Sequence, residues 1–257
     1  MTTSRSWAAI EFIGLPGVGK STLSHRVAEI LQRRGWRVAQ PTYSADHDLR
    51  SWERQLLKVR LVLAEAVLHP IRTASSVRAI LATRQAGASD LIHVTVNWLF
   101  MSSLLRKAER REGVHIFDEG LLNALWSIGF RARSAAHVTM LERLARQRST
   151  PVVVALMESD IPSIRERLHL RKNGDSRLER TEHMNDGWER GLRTLQQVKA
   201  TLQLLINEGN DIRVVPVRNQ RNEDLDALAT GLAATLERIL VSSGATPQTG
   251  ERAGGNS

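Results

Sequence analysis

The sequence predicts a three-layer α/β fold with a five-stranded parallel sheet, and three observations lead to that prediction. Short apolar runs alternate with longer stretches of helical periodicity along the 257 residues, which is the pattern of parallel strands joined by crossover helices. The run at residues 151–157 is continuously apolar, as in a strand that is covered on both faces. Hydrophobic residues make up 42% of the chain, which is enough for the core of such a fold.

Strands and helices are expected in alternation along the chain. The predicted strands are residues 7–13, 37–40, 114–117, 151–157 and 212–217. The predicted helices are residues 21–34, 121–130, 135–148, 161–170, 177–207 and 222–240. The helix at 177–207 contains a weak point near Gly187 and Gly191, because glycine lowers helix stability.

A long helical insertion separates the second strand from the third. Residues 48–111 have helical periodicity that is interrupted near Pro70 and Gly87, since proline cannot continue a helix interior. We expect this insertion to cover the substrate side of a single domain at residues 1–241. Residues 242–257 are rich in Gly, Thr, Ser and Pro and are expected to form a disordered tail.

Composition excludes several kinds of protein. Cysteine is absent, which excludes disulfides, Cys-based zinc sites and a Cys nucleophile and makes a cytoplasmic location the default expectation. No apolar stretch reaches the ~18 residues of a membrane span. The net charge of +9 favours an anionic partner or substrate, although an arginine-rich, solvated surface would give the same total. Aromatic residues make up only 4%, so nucleic acid is not the expected partner.

A phosphate-binding motif follows the first predicted strand. The motif G-x-x-x-x-G-K-[ST] is matched by Gly14, Leu15, Pro16, Gly17, Val18, Gly19, Lys20 and Ser21. Its glycines allow backbone N–H groups to surround an anion, and the helix that follows adds its positive N-terminal end. Lys20 is expected to reach the β- and γ-phosphates and Ser21 to bind Mg²⁺, with Thr22 as a further phosphate contact. A dinucleotide site is excluded, because the glycines have the spacing G-x-x-G-x-G.

Two carboxylates follow the third predicted strand. Asp118 and Glu119 come directly after an apolar run, and ligands of parallel α/β sheets bind beyond the carboxyl ends of the strands. We expect Asp118 to contact Mg²⁺, and one of the two carboxylates to take the proton of an attacking hydroxyl. The alternative is a solvated turn with acids near a helix start.

Basic residues cluster after the fourth predicted strand. Phosphoryl transfer requires positive charge over the migrating group, and an arginine-bearing lid can supply it. An exposed basic helix is the alternative. The cluster comprises Arg165, Arg167, Arg171, Lys172, Arg177 and Arg180.

With these three motifs in order, the chain resembles the nucleoside and nucleotide kinases among the P-loop proteins, and thymidylate kinases most of all. The resemblance implies a P-loop NTPase fold, ATP and Mg²⁺ as cofactors, and a lid at about residues 165–180 in which Arg167, Arg171 and Arg177 serve catalysis. It places adenine near Arg167 and near the loop after the fifth strand, at Arg218 and Asn219.

The chain departs from thymidylate kinases on the acceptor side. That family has Asp-Arg where this sequence has Asp118 and Glu119, and an arginine after the second strand where this sequence has residues 41–46 without a base. Its phosphate loop usually carries an acid where this chain has Pro16. An uncharged acceptor that offers a hydroxyl is therefore a further alternative: a nucleoside, a sugar or a natural product.

Five residues are candidates for acceptor contacts. His93 and Asn97 lie four residues apart on one helix face, but polar groups so placed are more often satisfied within the core. Asn123 and Trp126 occupy positions where the family contacts its acceptor, and Trp126 is equally suited to core packing. Tyr43 follows the second strand, at the expected mouth of the pocket.

These features predict an ATP-dependent kinase that acts on a small molecule, with a nucleotide or nucleoside as the first candidate. A kinase of a sugar or natural product, or an ATPase or switch without an acceptor, remains an alternative. A homodimer is a candidate assembly.

Overall fold

A computed structural model describes residues 7–134, 138, 153–170, 186–221 and 224–247. It confirms the predicted α/β class. Five strands form one parallel sheet, namely β1 (Trp7–Ile13), β2 (Val38–Ala39), β3 (Gly113–Phe117), β4 (Val153–Glu158) and β5 (Arg213–Arg218). The spatial order is β2-β3-β1-β4-β5, so β1 lies in the centre between β3 and β4.

Nine helices lie within the described ranges. They are α1 (Lys20–Arg33), α2 (Pro41–His47), α3 (Ser51–Leu68), α4 (Pro70–Ala82), α5 (Ala88–Glu109), α6 (Leu121–Phe130), α7 (Ile161–His169), α8 (Asp186–Asn207) and α9 (Leu225–Ser242).

The sheet is covered on both faces by helices. One face buries Ile10 and Phe12 of β1 with apolar residues of α1 and α9, such as Leu31 and Leu236. The other face buries Ala9 and Ile13 of β1 with apolar residues of α5, α6 and α8. Alternation along β1 directs successive side chains to opposite faces, which gives the three layers that the sequence predicts.

The helical insertion divides where proline and glycine indicated. The α3 helix ends at Leu68 and α4 begins at Pro70, while Gly87 is the residue before α5. The sequence prediction missed α2 and made β2 too long. Pro41 does end the strand, but its fixed φ also suits the first turn of a helix, and α2 begins there.

Two further predictions are only partly within the described ranges. The weak point near Gly187 and Gly191 is not a break, since α8 continues through both residues. A glycine costs a helix only about 1 kcal/mol, which packing against α6 can offset. Apart from residue 138, the predicted helix at 135–148 lies outside what the structure describes, as do residues 171–185 and residues 248–257 of the predicted tail; α9 extends to Ser242.

None of the described helices is both long enough and apolar enough to cross a membrane.

Candidate functional site

The phosphate-loop motif and Asp118 lie together at the carboxyl edge of the sheet. All strand pairs are parallel, so the segments that follow β1, β3, β4 and β5 emerge on the same side. Because β1 and β3 are hydrogen-bonded neighbours, the loop after β1 lies beside the turn at Asp118. The sheet therefore brings the phosphate loop and the acidic strand end together.

The loop between β1 and α1 has the backbone that its glycines permit. Gly17 and Gly19 have φ angles of 84° and 96°, in the region that L-residues avoid. The N–H of Val18 donates to the carbonyl of Leu15 at 3.2 Å, and both of these side chains are buried. Gly19 precedes the first residue of α1 and provides no side-chain cap, so the first N–H groups of that helix face the loop.

Lys20 folds back onto this loop. Its Nζ donates to the carbonyl oxygens of Gly14 at 2.9 Å and Leu15 at 3.2 Å, and the residue is buried. Both acceptors are neutral carbonyls. The ammonium group is therefore held at the loop itself, where the motif requires a cation for phosphate.

Two side chains support the loop from the direction of β4 and β5. The Nδ2 atom of Asn219 donates to the carbonyl of Val18 at 2.8 Å. Arg167 reaches the same carbonyl at 3.4 Å and donates to the carbonyls of Asn219 at 3.2 Å and Gln220 at 3.3 Å. A Cβ at Gly19 would lie 2.6 Å from the Asn219 amide, so glycine is required for this close packing.

Asp118 is buried and is held by a residue that the sequence prediction missed. The Thr42 hydroxyl donates to Oδ1 of Asp118 at 2.5 Å, and both residues are at most 4% exposed. Within the described ranges, no residue donates to Oδ2. Thr42 belongs to α2, the short helix that periodicity did not reveal, so its position beside Asp118 had no sequence signal.

A second buried carboxylate lies behind the acidic strand end. Glu11, in the middle of β1, accepts from the backbone N–H groups of Leu122 at 2.6 Å and Asn123 at 3.3 Å, so it caps the start of α6. A Cβ on Gly120 would overlap this carboxylate. Burial raises the pKa of Glu11 from 4.5 to about 7, while the backbone hydrogen bonds from α6 oppose that rise.

Comparison with known proteins assigns this arrangement to a family. A family model described as an AAA domain matches residues 10–205. The chain belongs to that family. It is therefore a P-loop NTPase-type domain, and the predicted P-loop fold is confirmed. No curated protein matches the chain.

The donor atoms of this P-loop domain fit Mg²⁺. The Ser21 hydroxyl lies in the first turn of α1, and Asp118 presents a carboxylate at the neighbouring strand end; both supply the hard oxygen ligands that Mg²⁺ prefers. The described residues contain no group of three or more His, Asp or Glu side chains that could hold a metal ion. In proteins Mg²⁺ is commonly bound by one or two side-chain oxygens together with substrate phosphates and water.

The remaining P-loop and acid predictions occupy the expected edge. Pro16 is partly exposed within the loop, and Thr22 is exposed on α1. Glu119 is exposed in the turn between Asp118 and Gly120. Arg218 is exposed at the end of β5, where it lines a groove against α9; its neighbour Asn219 makes the contact with the phosphate loop. Arg171 and Arg177 lie outside the described residues.

Two predicted acceptor residues on α6 have structural partners. The Nδ2 atom of Asn123 donates to the carbonyl of Phe12 at 2.7 Å. The Trp126 indole donates to the carbonyl of Gly191 at 3.0 Å and its ring stacks on Phe130, with the centroids 4.9 Å apart. Trp126 is buried, so the structure shows the core packing that the sequence offered as the alternative.

The other three predicted acceptor residues are spread over α2 and α5. His93 is exposed, and its Nδ1 lies 2.9 Å from the carbonyl of Ser89, one turn earlier on α5. Asn97 is half-buried on the same helix. Tyr43 is half-buried on α2 and stacks on His25 of α1, with the ring centroids 4.3 Å apart.

Proposed function

We propose that the protein is an ATP-dependent phosphotransferase that moves the γ-phosphoryl group of ATP to a hydroxyl of a small-molecule acceptor. The observation that carries the proposal is that the ammonium group of Lys20 lies at the carbonyls directly after β1, while the buried Asp118 directly follows β3, the hydrogen-bonded neighbour of β1. A cation for phosphate and a buried carboxylate at neighbouring strand ends are the minimum set that a phosphoryl-transfer site needs.

In this proposal the phosphate loop binds and orients the donor. Backbone N–H groups of the loop and of the first turn of α1 bind phosphate oxygens, and Lys20 supplies positive charge to the γ-phosphate. Ser21 and Asp118 would hold Mg²⁺, which would neutralise the negative charge of the phosphates when bound. The support from Asn219 and Arg167 keeps the loop in its binding geometry before ATP arrives.

Asp118 is the first candidate for the base. With Oδ1 held by Thr42, Oδ2 is oriented to accept the proton of the acceptor hydroxyl. The hydroxyl oxygen of the acceptor forms the new bond to the γ-phosphorus while the bond from phosphorus to the ADP oxygen breaks, and ADP leaves with the electron pair. Glu119 is the second candidate for the same proton. Arg171 and Arg177 are proposed to stabilise the charge on the migrating group, while Arg167 is assigned to supporting the loop through the carbonyls to which it donates.

The acceptor class rests on the resemblance to thymidylate and nucleoside kinases, which favours a nucleotide or nucleoside. An acid at Glu119, where thymidylate kinases have arginine, favours an acceptor that is uncharged near its reacting hydroxyl, because a dianion would be repelled there. A sugar or another natural product is the alternative within the same reaction.

We include a homodimer in the proposal because one face of α3 is exposed and apolar. The opposite face of α3 is held on α5 by the buried pair of Glu65 and Arg106, whose Nε donates to Oε2 at 2.9 Å. The exposed face carries, three or four residues apart, Trp52, Leu56, Val59, Leu63 and Val67, which are 54% to 76% exposed.

The size of this α3 face matches one half of a dimer interface. These five side chains present roughly 500 Å² of apolar surface. A stable interface buries about 800 Å² on each partner, of which somewhat more than half is apolar. A second copy of the chain, contributing the same face about a two-fold axis, would cover it.

An acceptor screen tests the reaction. Purified protein with ATP and Mg²⁺ is offered nucleosides, nucleoside monophosphates, sugars and aminoglycoside-like compounds, and both ADP and phosphorylated product are measured. We expect one class to give equal amounts of ADP and product. The Lys20→Ala variant should lose about 10²- to 10³-fold or more in kcat, while Lys107→Ala, which removes an exposed lysine of α5, should keep wild-type activity.

The same screen separates the alternatives. Release of inorganic phosphate that no acceptor accelerates would contradict the kinase proposal and favour an ATPase or switch. Full activity of Lys20→Ala on a confirmed acceptor would contradict the assigned role of the phosphate loop.

A further inference from the structure

A large cavity lies away from the phosphate loop, between three helices on the α5, α6 and α8 side of the sheet. Its volume is about 890 Å³, within the range of small-molecule sites. It is bounded by the turn before α5, by the end of α6 with residues 131–133, and by the N-terminal half of α8. None of these segments belongs to the motifs that predict nucleotide binding.

The walls of this cavity are fixed by hydrogen bonds between the elements. The N–H of Ala86 donates to the carbonyl of Arg131 at 3.1 Å, and the N–H of Arg133 to the carbonyl of Thr83 at 3.2 Å, so the segments after α4 and after α6 are joined. On the opposite side, the bond from Trp126 to Gly191 joins α6 to α8. The cavity is therefore formed before any ligand binds, which lowers the entropic cost of binding.

The lining of the cavity is strongly basic. Among the lining residues that the structure describes, four are arginines, Arg131, Arg133, Arg190 and Arg193, and one is an acid, Asp90. Arg131 engages that acid, with Nε and Nη2 each 3.1 Å from Oδ2.

Within the part of the chain that the structure describes, the other three guanidinium groups have no strong acidic partner. Arg193 lies 4.0 Å from Glu189, with both side chains at least 70% exposed, a pair that contributes little. Among the residues that the structure describes, no acid pairs with Arg133 or Arg190. Three positive charges around one concave volume concentrate a positive potential there.

The α5 helix adds to this potential. It begins at the cavity after Gly87, which has no side chain to cap the first N–H groups, and a helix of 22 residues carries a partial positive charge at that end. Guanidinium groups bind phosphates and carboxylates through paired hydrogen bonds.

We propose that this arginine cavity binds the anionic part of a small molecule that carries two or more negative charges, as phosphates or carboxylates. It is distinct from the ATP site. The α6 helix starts three residues after Asp118 and has 10 residues, so its far end, at the cavity, lies roughly 15 Å from the start of the helix. An ATP phosphate on the P-loop cannot reach that far, whereas the distal end of an elongated acceptor, or a separate ligand, can occupy it.

Binding of two probe anions tests the proposal without requiring activity. Tricarballylate and inorganic pyrophosphate are titrated into protein that carries Lys20→Ala, which weakens anion binding at the phosphate loop. Calorimetry measures affinity, and the indole N–H NMR signal of Trp126, whose ring stacks on the cavity-lining Phe130, reports the location. The cavity variant adds Arg190→Gln and Arg193→Gln, both at exposed positions of α8.

A matched variant controls for net charge. Arg60→Gln with Arg72→Gln removes the same two charges from exposed positions on α3 and α4. We expect the cavity variant to weaken probe binding about tenfold or more and to abolish the Trp126 shift, while the matched variant changes affinity about twofold at most. Equal loss in both variants, or binding that leaves the Trp126 signal unmoved, would overturn the proposal.

Kinetics with the acceptor found in the screen show whether the bound anion is part of the acceptor or a separate ligand. This second experiment rests on the proposed function. If the acceptor's own anionic group occupies the cavity, Arg190→Gln with Arg193→Gln raises the acceptor KM about tenfold at unchanged kcat, and tricarballylate competes with the acceptor. If a separate ligand occupies it, KM is unchanged and tricarballylate does not compete. Should no acceptor be found, the kinase proposal fails while probe binding still decides the cavity.

Discussion

The phosphate-loop region and the α3–α4 region of this P-loop domain differ in how their side chains are buried and bonded. Around the loop, Lys20, Asn219 and Asp118 are buried and each bonds to a neighbour within the chain. On α3, large apolar side chains such as Trp52 and Leu63 are more than half exposed. Side chains of the first region find their partners within the chain, whereas the second region exposes apolar area to water, which is unfavourable unless another molecule covers it.

The difference indicates where other molecules complete the protein. A loop whose shape is fixed by internal hydrogen bonds can bind phosphate without reorganisation, so its function depends on single atoms. An exposed apolar helix face depends on its total area, and a second copy is the occupant that we propose. Substitutions in the two regions should therefore have different effects. Those on α3 should weaken dimer formation, and those around the loop should change nucleotide affinity or the pH dependence of stability.

The largest effect is expected on α3. Leu56→Glu with Leu63→Glu places two charges on each copy of the α3 face, and unpaired charges in an apolar interface cost several kcal/mol. We expect the dimer dissociation constant to rise about 1,000-fold, which corresponds to about 4 kcal/mol. Sedimentation across a concentration series measures it, and the free energy of unfolding of the monomer should change little, because both side chains are already exposed.

A control on α5 tests whether the effect is specific to that face. Ile92 is 62% exposed, so Ile92→Glu adds an acid to another apolar position and should leave the association unchanged. Wild-type protein that remains monomeric at high concentration would remove the dimer from the proposal.

The second-largest effect is expected at Glu11, which lies behind the acidic strand end in the phosphate-loop region. Burial raises the pKa of Glu11 from 4.5 to about 7, so between these values the folded protein holds a proton that the unfolded chain has released. The contribution to stability is full below pH 4.5 and is lost as the pH rises through 7, by up to about 3 kcal/mol. Glu11→Gln removes this ionisation while keeping an acceptor oxygen for α6.

Urea unfolding at pH 5 and pH 8 measures this difference. Wild-type protein should lose stability from pH 5 to pH 8 relative to Glu11→Gln, whereas Glu112→Gln, an exposed position before β3, should follow the wild type. Parallel pH dependences for wild type and Glu11→Gln would show that the Glu11 carboxylate is not the titrating group.

The sequence predicted the parts of the site that depend on local pattern. The P-loop motif, the strand before it and the acid after β3 are contiguous in sequence, and parallel strands necessarily bring them to one edge. Glu11 was missed because a single acid inside an apolar run does not change the strand pattern. Its role depends on Gly120, more than a hundred residues away, and periodicity carries no information on such a pair.

Thr42 and the arginine cavity could not be predicted from the sequence for the same reason, because each depends on residues that are distant along the chain. Thr42 lies on a seven-residue helix, which is too short to give a reliable periodic signal, and its partner Asp118 follows another strand. The cavity combines Arg131 and Arg133 with Arg190 and Arg193, two short groups that each read as ordinary surface charge. Only the packing of α6 on α8 places them around one volume.

The smallest effect tests how far the phosphate loop depends on its support. Asn219→Ala removes the hydrogen bond from Nδ2 to the Val18 carbonyl and leaves the backbone contacts of Arg167 in place. One such bond contributes about 1 kcal/mol to stability, and a loop that must be ordered by its ligand binds more weakly. We expect a stability loss of about 1 kcal/mol and an ADP dissociation constant raised about tenfold, measured by urea unfolding and calorimetry.

Gln220→Ala is the matched control, because it truncates the next side chain while keeping the carbonyl that accepts from Arg167. It should leave ADP affinity unchanged. If Asn219→Ala lost stability but kept wild-type ADP affinity, the hydrogen bond would serve folding alone. The loop would then owe its phosphate-binding shape to Gly17, Gly19 and the buried side chains of Leu15 and Val18, so the comparison with α3 would rest on packing rather than on hydrogen bonds.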